Sequence, residues 1–120
     1  EVKTTNRILE KALISYDNQF YKLGHRAIEI YDILTQDAFT TRITGSAATD
    51  TALIAAGRIN SRIWNKTISY DIAAGIPIVL GAGGCVSDFQ GNPISVLASK
   101  VIMSSENDLH DHLIKEISSI

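Results

Sequence analysis

A repeated change of period governs what this chain can fold into. Short apolar or β-branched runs alternate with segments of ten or more residues whose apolar positions recur at helical spacing. Ala12–Ser15 reads as a buried strand that leaves at Tyr16-Asp17-Asn18, with Asp17 or Asn18 expected to cap the next helix. Phe20, Leu23, Ala27, Ile30, Tyr31 and Leu34 then outline an amphipathic helix. Thr40–Thr44 is β-branched and breaks at Gly45; the Ala-rich stretch Ser46–Ala56 predicts a helix closed by Gly57. Ile59–Trp64 alternates as a strand does, and Asp71–Ala82 predicts a second apolar helix, with Pro77 inside it and Gly83-Gly84 at its end. Cys85–Phe89, the turn Gln90-Gly91-Asn92-Pro93 and Val101–Ser104 supply two more strands. Ser105-Glu106-Asn107-Asp108 resembles a capping box ahead of a helix whose inner face is Leu109, Leu113, Ile117 and Ile120. Strands separated by helices imply βαβ crossovers. The expected class is α/β, a mostly parallel sheet with helices on both faces, in a single domain over residues 1–120.

Charge and composition remove several function classes. Eleven basic and thirteen acidic residues among 120, mixed along the chain, give no sustained positive face, so nucleic acid is not expected as a partner. The longest uncharged run lies between Asp71 and Asp88 and is broken by Gly75, Pro77, Gly81, Gly83 and Gly84; it is too short to span a bilayer. Cys85 is alone, which rules out an internal disulfide and favours a reducing, cytoplasmic location. The polar stretch Glu1–Glu10 lacks the apolar region of a signal peptide. A chain that opens on Glu is expected to be a piece of something longer, or a processed product.

Three spots could carry chemistry, and each has a purely structural reading beside the functional one. Thr44-Gly45-Ser46-Ala47 is a strand-to-helix turn whose backbone N–H groups and helix dipole could meet an anion or a sugar hydroxyl, or Ser46 is simply an N-cap. Asp71, at a helix start, is a cap or offers one oxygen to a divalent cation. One carboxylate cannot hold magnesium, and Asp50 and Asp88 are the only others placed near predicted strand ends. Asp108, His110, Asp111 and His112 read as a solvated helix face, because residues two apart on a helix diverge by about 200° and cannot share a metal. No protein nucleophile stands out: Cys85 falls in an apolar strand and no serine lies in a G-x-S-x-G elbow.

Taken together, Gly45-Ser46-Ala47-Ala48-Thr49-Asp50, Ala55-Ala56-Gly57-Arg58, Tyr70-Asp71-Ile72-Ala73-Ala74-Gly75 and Ala82-Gly83-Gly84 with Asp88 and Gly91 resemble the C-terminal half of the inositol monophosphatase family. The similarity runs from about Thr40 to the end. That resemblance implies a magnesium-dependent phosphomonoesterase in which Asp71 is a metal ligand and Gly45, Ser46 and Ala47 contact the substrate, a small phosphorylated alcohol. Magnesium would bridge phosphate oxygens and lower the pKa of an attacking water, so no catalytic side chain of this chain is assigned.

Three departures accompany the resemblance. The family's D-P-x-D-G-T motif is absent, the only prolines being Pro77 and Pro93. Trp64 stands seven residues before Asp71, where several members carry a Glu that contacts inositol, which makes Trp64 the fourth candidate substrate residue. Tyr70 replaces the usual Trp, and together with Ile76-Pro77 it also resembles the histidinol-phosphatase branch. The chain is therefore expected to need a missing N-terminal half, to bind magnesium weakly or not at all by itself, and to be inactive alone; a homodimer is compatible with this reading. The alternatives are a non-catalytic interaction domain from a truncated relative, and a histidinol-phosphate or nucleotide phosphatase of the same family.

Overall fold

The structure, a computed structural model, describes residues 11–18, 20–38, 40–66, 70–94 and 100–120, with the backbone alone at Tyr70 and Asp71. Five strands form one sheet: β1 (Leu13–Ser15), β2 (Thr40–Arg42), β3 (Ser61–Trp64), β4 (Cys85–Ser87) and β5 (Val101–Ser104). Among the described residues four helices accompany them: α1 (His25–Asp37), α2 (Ala47–Ala55), α3 (Tyr70–Gly81) and α4 (Asn107–Ser118), with a 3-10 turn at Phe20–Lys22 before α1.

Side-chain alternation along the strands separates two cores. Ile14, Ile63 and Ile102 face α1 and α4 and pack with Ile30, Leu34, Leu109, Leu113 and Ile117. Leu13, Trp64, Val101 and Met103 point the other way and pack with Ile54, Ile72 and Val79 from α2 and α3. Helices thus cover both faces, as the alternation of periods requires. On the second face α2 and α3 approach closely at Gly75, where an added Cβ would lie 2.5 Å from Thr51 Cγ2. No helix among the described residues is long and apolar enough to cross a membrane.

The sheet is mixed: β1, β2, β3 and β4 run the same way, as expected of a mostly parallel sheet, and β5 runs against them. Its order is β2-β1-β3-β5-β4; β1 pairs in parallel with β2 and β3, while β5 is antiparallel to both β3 and β4. The cause lies in the connection after β4. Asp88 Oδ1 accepts the Gln90 and Asn92 N–H groups at 2.9 and 2.8 Å, closing a turn that sends the chain back along β4. Antiparallel neighbours need no crossover between them.

Three local expectations are also corrected. Asp17 and Asn18 do not cap α1, which starts at His25 after Gly24 with no side-chain cap; the Asp17 carboxylate is engaged across the sheet instead. The capping box before α4 does not form, since its N-cap residue is Glu106 without a capping hydrogen bond. His110 is not on a solvated face: it is buried, with Nε2 2.7 Å from Ser87 Oγ and Nδ1 2.8 Å from Ser104 Oγ. Pro77 does lie inside α3, on its exposed side; lacking an N–H, it leaves the Ala73 carbonyl on that side without its usual donor.

Candidate active site

Because β1, β2 and β3 run in the same direction, their C-terminal ends open onto one edge of the sheet. In α/β sheets that edge is where ligands collect. Residues after β1 (Tyr16, Asp17, Asn18), after β2 (Thr44, Gly45, Ser46) and after β3 (Asn65) meet there, and α3 begins downstream of it at Tyr70-Asp71.

The β2–α2 turn is held in a defined shape. Gly45 has φ +75°, a conformation costly for any side chain, and Asn18 Nδ2 would lie 3.8 Å from a Cβ placed there. Ser46 is the N-cap of α2: its Oγ accepts the Thr49 N–H at 3.2 Å and lies 2.9 Å from Thr49 Oγ1. Thr44 Oγ1 accepts the Ser46 N–H at 3.2 Å and donates to Asp50 Oδ1 at 2.8 Å. The N–H groups of Ala47 and Ala48, in the first turn of α2, have no partner inside the helix. Such a turn presents donors and a positive dipole end to an anion or hydroxyl.

Beneath the turn sits a buried charge cluster that sequence reasoning missed. Arg62 Nη1 lies 3.1 Å from Asp17 Oδ1, and Arg62 Nε lies 2.8 Å from Asp50 Oδ2. The second is an ion-pair contact whose angle does not make it a hydrogen bond. Side-chain exposure is 5% for Arg62, 7% for Asp17 and 0% for Asp50, so the cluster is closed to bulk solvent. Burial lowers the Arg62 pKa, and the two carboxylates oppose that shift. The carboxylates outnumber the guanidinium, and neutral donors offset the excess: Ser15 Oγ to Asp50 Oδ2 at 2.8 Å, and the Asn65 N–H and Nδ2 to Asp17 Oδ2 at 2.7 and 2.9 Å. Asn65 Nδ2 also donates to Tyr16 Oη at 2.7 Å, and that hydroxyl donates to the Ala27 carbonyl; burial raises its pKa. The available signal was a lone Arg inside a strand whose neighbours are Ser61, Ile63 and Trp64.

Residues 2–120 match the model of the inositol monophosphatase family. The chain belongs to that family. Its relatives include a protein of Thermotoga maritima described as fructose-1,6-bisphosphatase/inositol-1-monophosphatase, 37% identical over 66% of this chain and 30% of the relative. The inositol-1-monophosphatase of Bacillus subtilis is 32% identical over 91% of this chain and 42% of its own length. Among solved structures, the IMPase of Thermotoga maritima superposes with a TM-score of 0.79 at 29% identity, covering 97% of this chain and 44% of that one. The chain thus spans less than half the length of each. These are shares of length without position, so the comparisons do not support the expected placement in a C-terminal half.

Within the family frame, the fate of each candidate differs. Gly45, Ser46 and Ala47 form the turn described above. Asp71 falls in the first turn of α3, and its side chain lies outside the described residues. Trp64 is 3% exposed, packed in the core under α2 and α3 with the Arg62 guanidinium 4.6 Å from its ring centre, so it offers no face to a substrate in this structure. Asp50 and Asp88, weighed as partners for Asp71, are committed elsewhere, to Arg62, Ser15 and Thr44 and to the Asp88–Asn92 turn. Among the described residues no group of three His, Cys, Asp or Glu side chains could hold a metal. The described residues therefore do not fit a magnesium site by themselves. Cys85 donates to Asn107 Oδ1 at 2.6 Å and its pKa is raised by burial and by Asp111, the opposite of an activated thiol.

Proposed function

We propose that this chain is part of a phosphatase that hydrolyses a small phosphate monoester, resembling inositol monophosphatase in substrate class. The supporting observation is the β2–α2 turn, in a member of this family: positive-φ Gly45, the Ser46 cap and the first N–H groups of α2 stand together at the C-terminal ends of the parallel strands. The turn would orient the alcohol portion of the substrate through Ser46 Oγ and the Ala47 N–H. Asp71 would be one ligand of a magnesium ion whose other ligands come from outside the described residues. A cytoplasmic location and the possibility of a homodimer belong to the same proposal. The test is release of inorganic phosphate from inositol monophosphate, histidinol phosphate and a nucleoside monophosphate by the full-length protein. Hydrolysis of one of them supports the reading and selects among the substrate alternatives; turnover of none excludes it.

The second reading is a non-catalytic interaction domain. It is favoured by the wide exposed arc of α3, with Ile78 and Leu80 at its two margins, 56% and 52% exposed. A helix apolar on every side is normally covered. Phosphate release with Asp71-dependent turnover would exclude this reading.

A further inference from the structure

The two carboxylates around Arg62 share one pattern. Asp50 turns Oδ2 toward Arg62 and Oδ1 to the Thr44 hydroxyl of the β2–α2 turn. Asp17 turns Oδ1 toward Arg62 and Oδ2 to the backbone and side chain of Asn65, the first residue after β3 on the way to Asp71. Each acid thus spends one oxygen on the arginine and the other on a different loop. A buried ion cluster is a poor way to gain stability, since apolar groups of the same volume often do as well or better. What it supplies is geometry: a planar guanidinium with fixed donor directions, further pinned by Nη1 donating to the Ile63 carbonyl at 2.8 Å and by the Trp64 ring.

We propose that Arg62 is a positioning residue that, through Asp50 and Asp17, locks the Gly45–Ala47 turn and the start of the β3–α3 connection into one relative geometry. The two loops carry the candidate substrate contacts and lead to the candidate metal ligand, so Arg62 sets their spacing. The consequence for catalysis rests on the phosphatase reading; the structural linkage does not.

Two variants of the full-length protein test it, Arg62→Lys, which keeps the charge and loses the fork, and the triple replacement Arg62→Met with Asp17→Asn and Asp50→Asn, which removes all three charges. Amide NMR shifts of Gly45, Ser46 and Asn65 are read beside thermal unfolding and steady-state kinetics. In Arg62→Lys the amides of both loops should move together, and kcat should fall about ten- to a hundredfold at saturating substrate. The triple variant should melt close to the parent yet show the same kcat loss. Movement of only one loop, or of neither, in Arg62→Lys overturns the linkage, as does a triple variant with parental kcat. If the parent releases no phosphate, the phosphatase reading fails and the amide shifts alone decide the role of Arg62. If the triple variant does not fold, Arg62→Lys alone decides it.

Discussion

The hydroxyl of Thr44 donates to Asp50 Oδ1 at 2.8 Å, tying the residue before the glycine turn to a carboxylate with no exposed surface. This contact anchors an exposed turn to a buried charge. Asp50→Ala would leave Arg62 with one carboxylate instead of two and strand the Thr44 and Ser15 hydroxyls. A loss of about 3–5 kcal/mol in urea-unfolding stability is expected. Thr44→Val, which removes one donor and leaves the charges paired, should cost about 1–3 kcal/mol. Equal effects of the two changes would contradict the cluster as described.

Ser46 has two possible duties, and they can be separated. Glycine is tolerated at an N-cap with a loss of only a few tenths of a kcal/mol, whereas alanine costs about 1 kcal/mol. Ser46→Gly should therefore leave stability nearly intact. A substrate contact through the hydroxyl predicts a drop in kcat/KM of about tenfold in the full-length protein, from one lost hydrogen bond. An unchanged kcat/KM would reduce Ser46 to its cap.

Acid should loosen the packing of α4 through His110. Burial lowers the pKa of this imidazole below its usual value, and Asp111 only partly opposes the shift. A histidine with a folded pKa below its unfolded one binds fewer protons when folded. Its contribution is therefore intact above about pH 6.5 and is lost as pH falls through the folded value. His25 and His112 are more exposed and sit beside Glu29 and Glu116. Melting temperatures of the parent and His110→Gln, compared from about pH 8 to about pH 5, should converge on acidification. A constant difference across that range would show that His110 does not titrate with unfolding.

Close approach of α2 and α3 requires the absence of a side chain at Gly75. Gly75→Ala places a Cβ against Thr51 Cγ2 and Oγ1, at 2.5 and 2.9 Å, and should cost about 1–3 kcal/mol. Adding Thr51→Ala removes the clash, so the double variant should be less destabilised than the sum of the two single ones. Strict additivity would mean that the helices shift apart freely.

How much of this was legible in the sequence depended on the range of the interaction. Strand and helix positions follow from local periodicity, and the elements from Leu13 to Ser118 lie within a few residues of their expected places except α1, whose first expected turns form a separate 3-10 turn at Phe20–Lys22 and which starts at His25. The Ser46 cap was legible because its partner, Thr49, is three residues away. Asp17, Arg62 and Asn65 were not, since their contacts span 45 to 48 residues and local pattern carries no information on such pairing. His110 was misplaced for the same reason: its neighbours Asp108, Asp111 and His112 suggested solvent, while Ser87 lies 23 residues back on β4. The direction of β5 depended on whether the Gln90–Pro93 turn reversed the chain or began a crossover, which the residue types alone left open. Trp64 shows the converse limit, because a position matched by resemblance does not fix which way its ring faces.

In the proposed function the Gly45–Ala47 turn and Asp71 serve one metal-assisted phosphatase site. Its most direct test is phosphate release by the full-length protein as magnesium is titrated, beside the same titration of Asp71→Asn. Turnover of a small phosphate monoester should rise with magnesium in the parent and be reduced at least about a hundredfold in Asp71→Asn, a loss of about 2.7 kcal/mol in transition-state stabilisation. Turnover that does not depend on magnesium, or that survives Asp71→Asn unchanged, would contradict it.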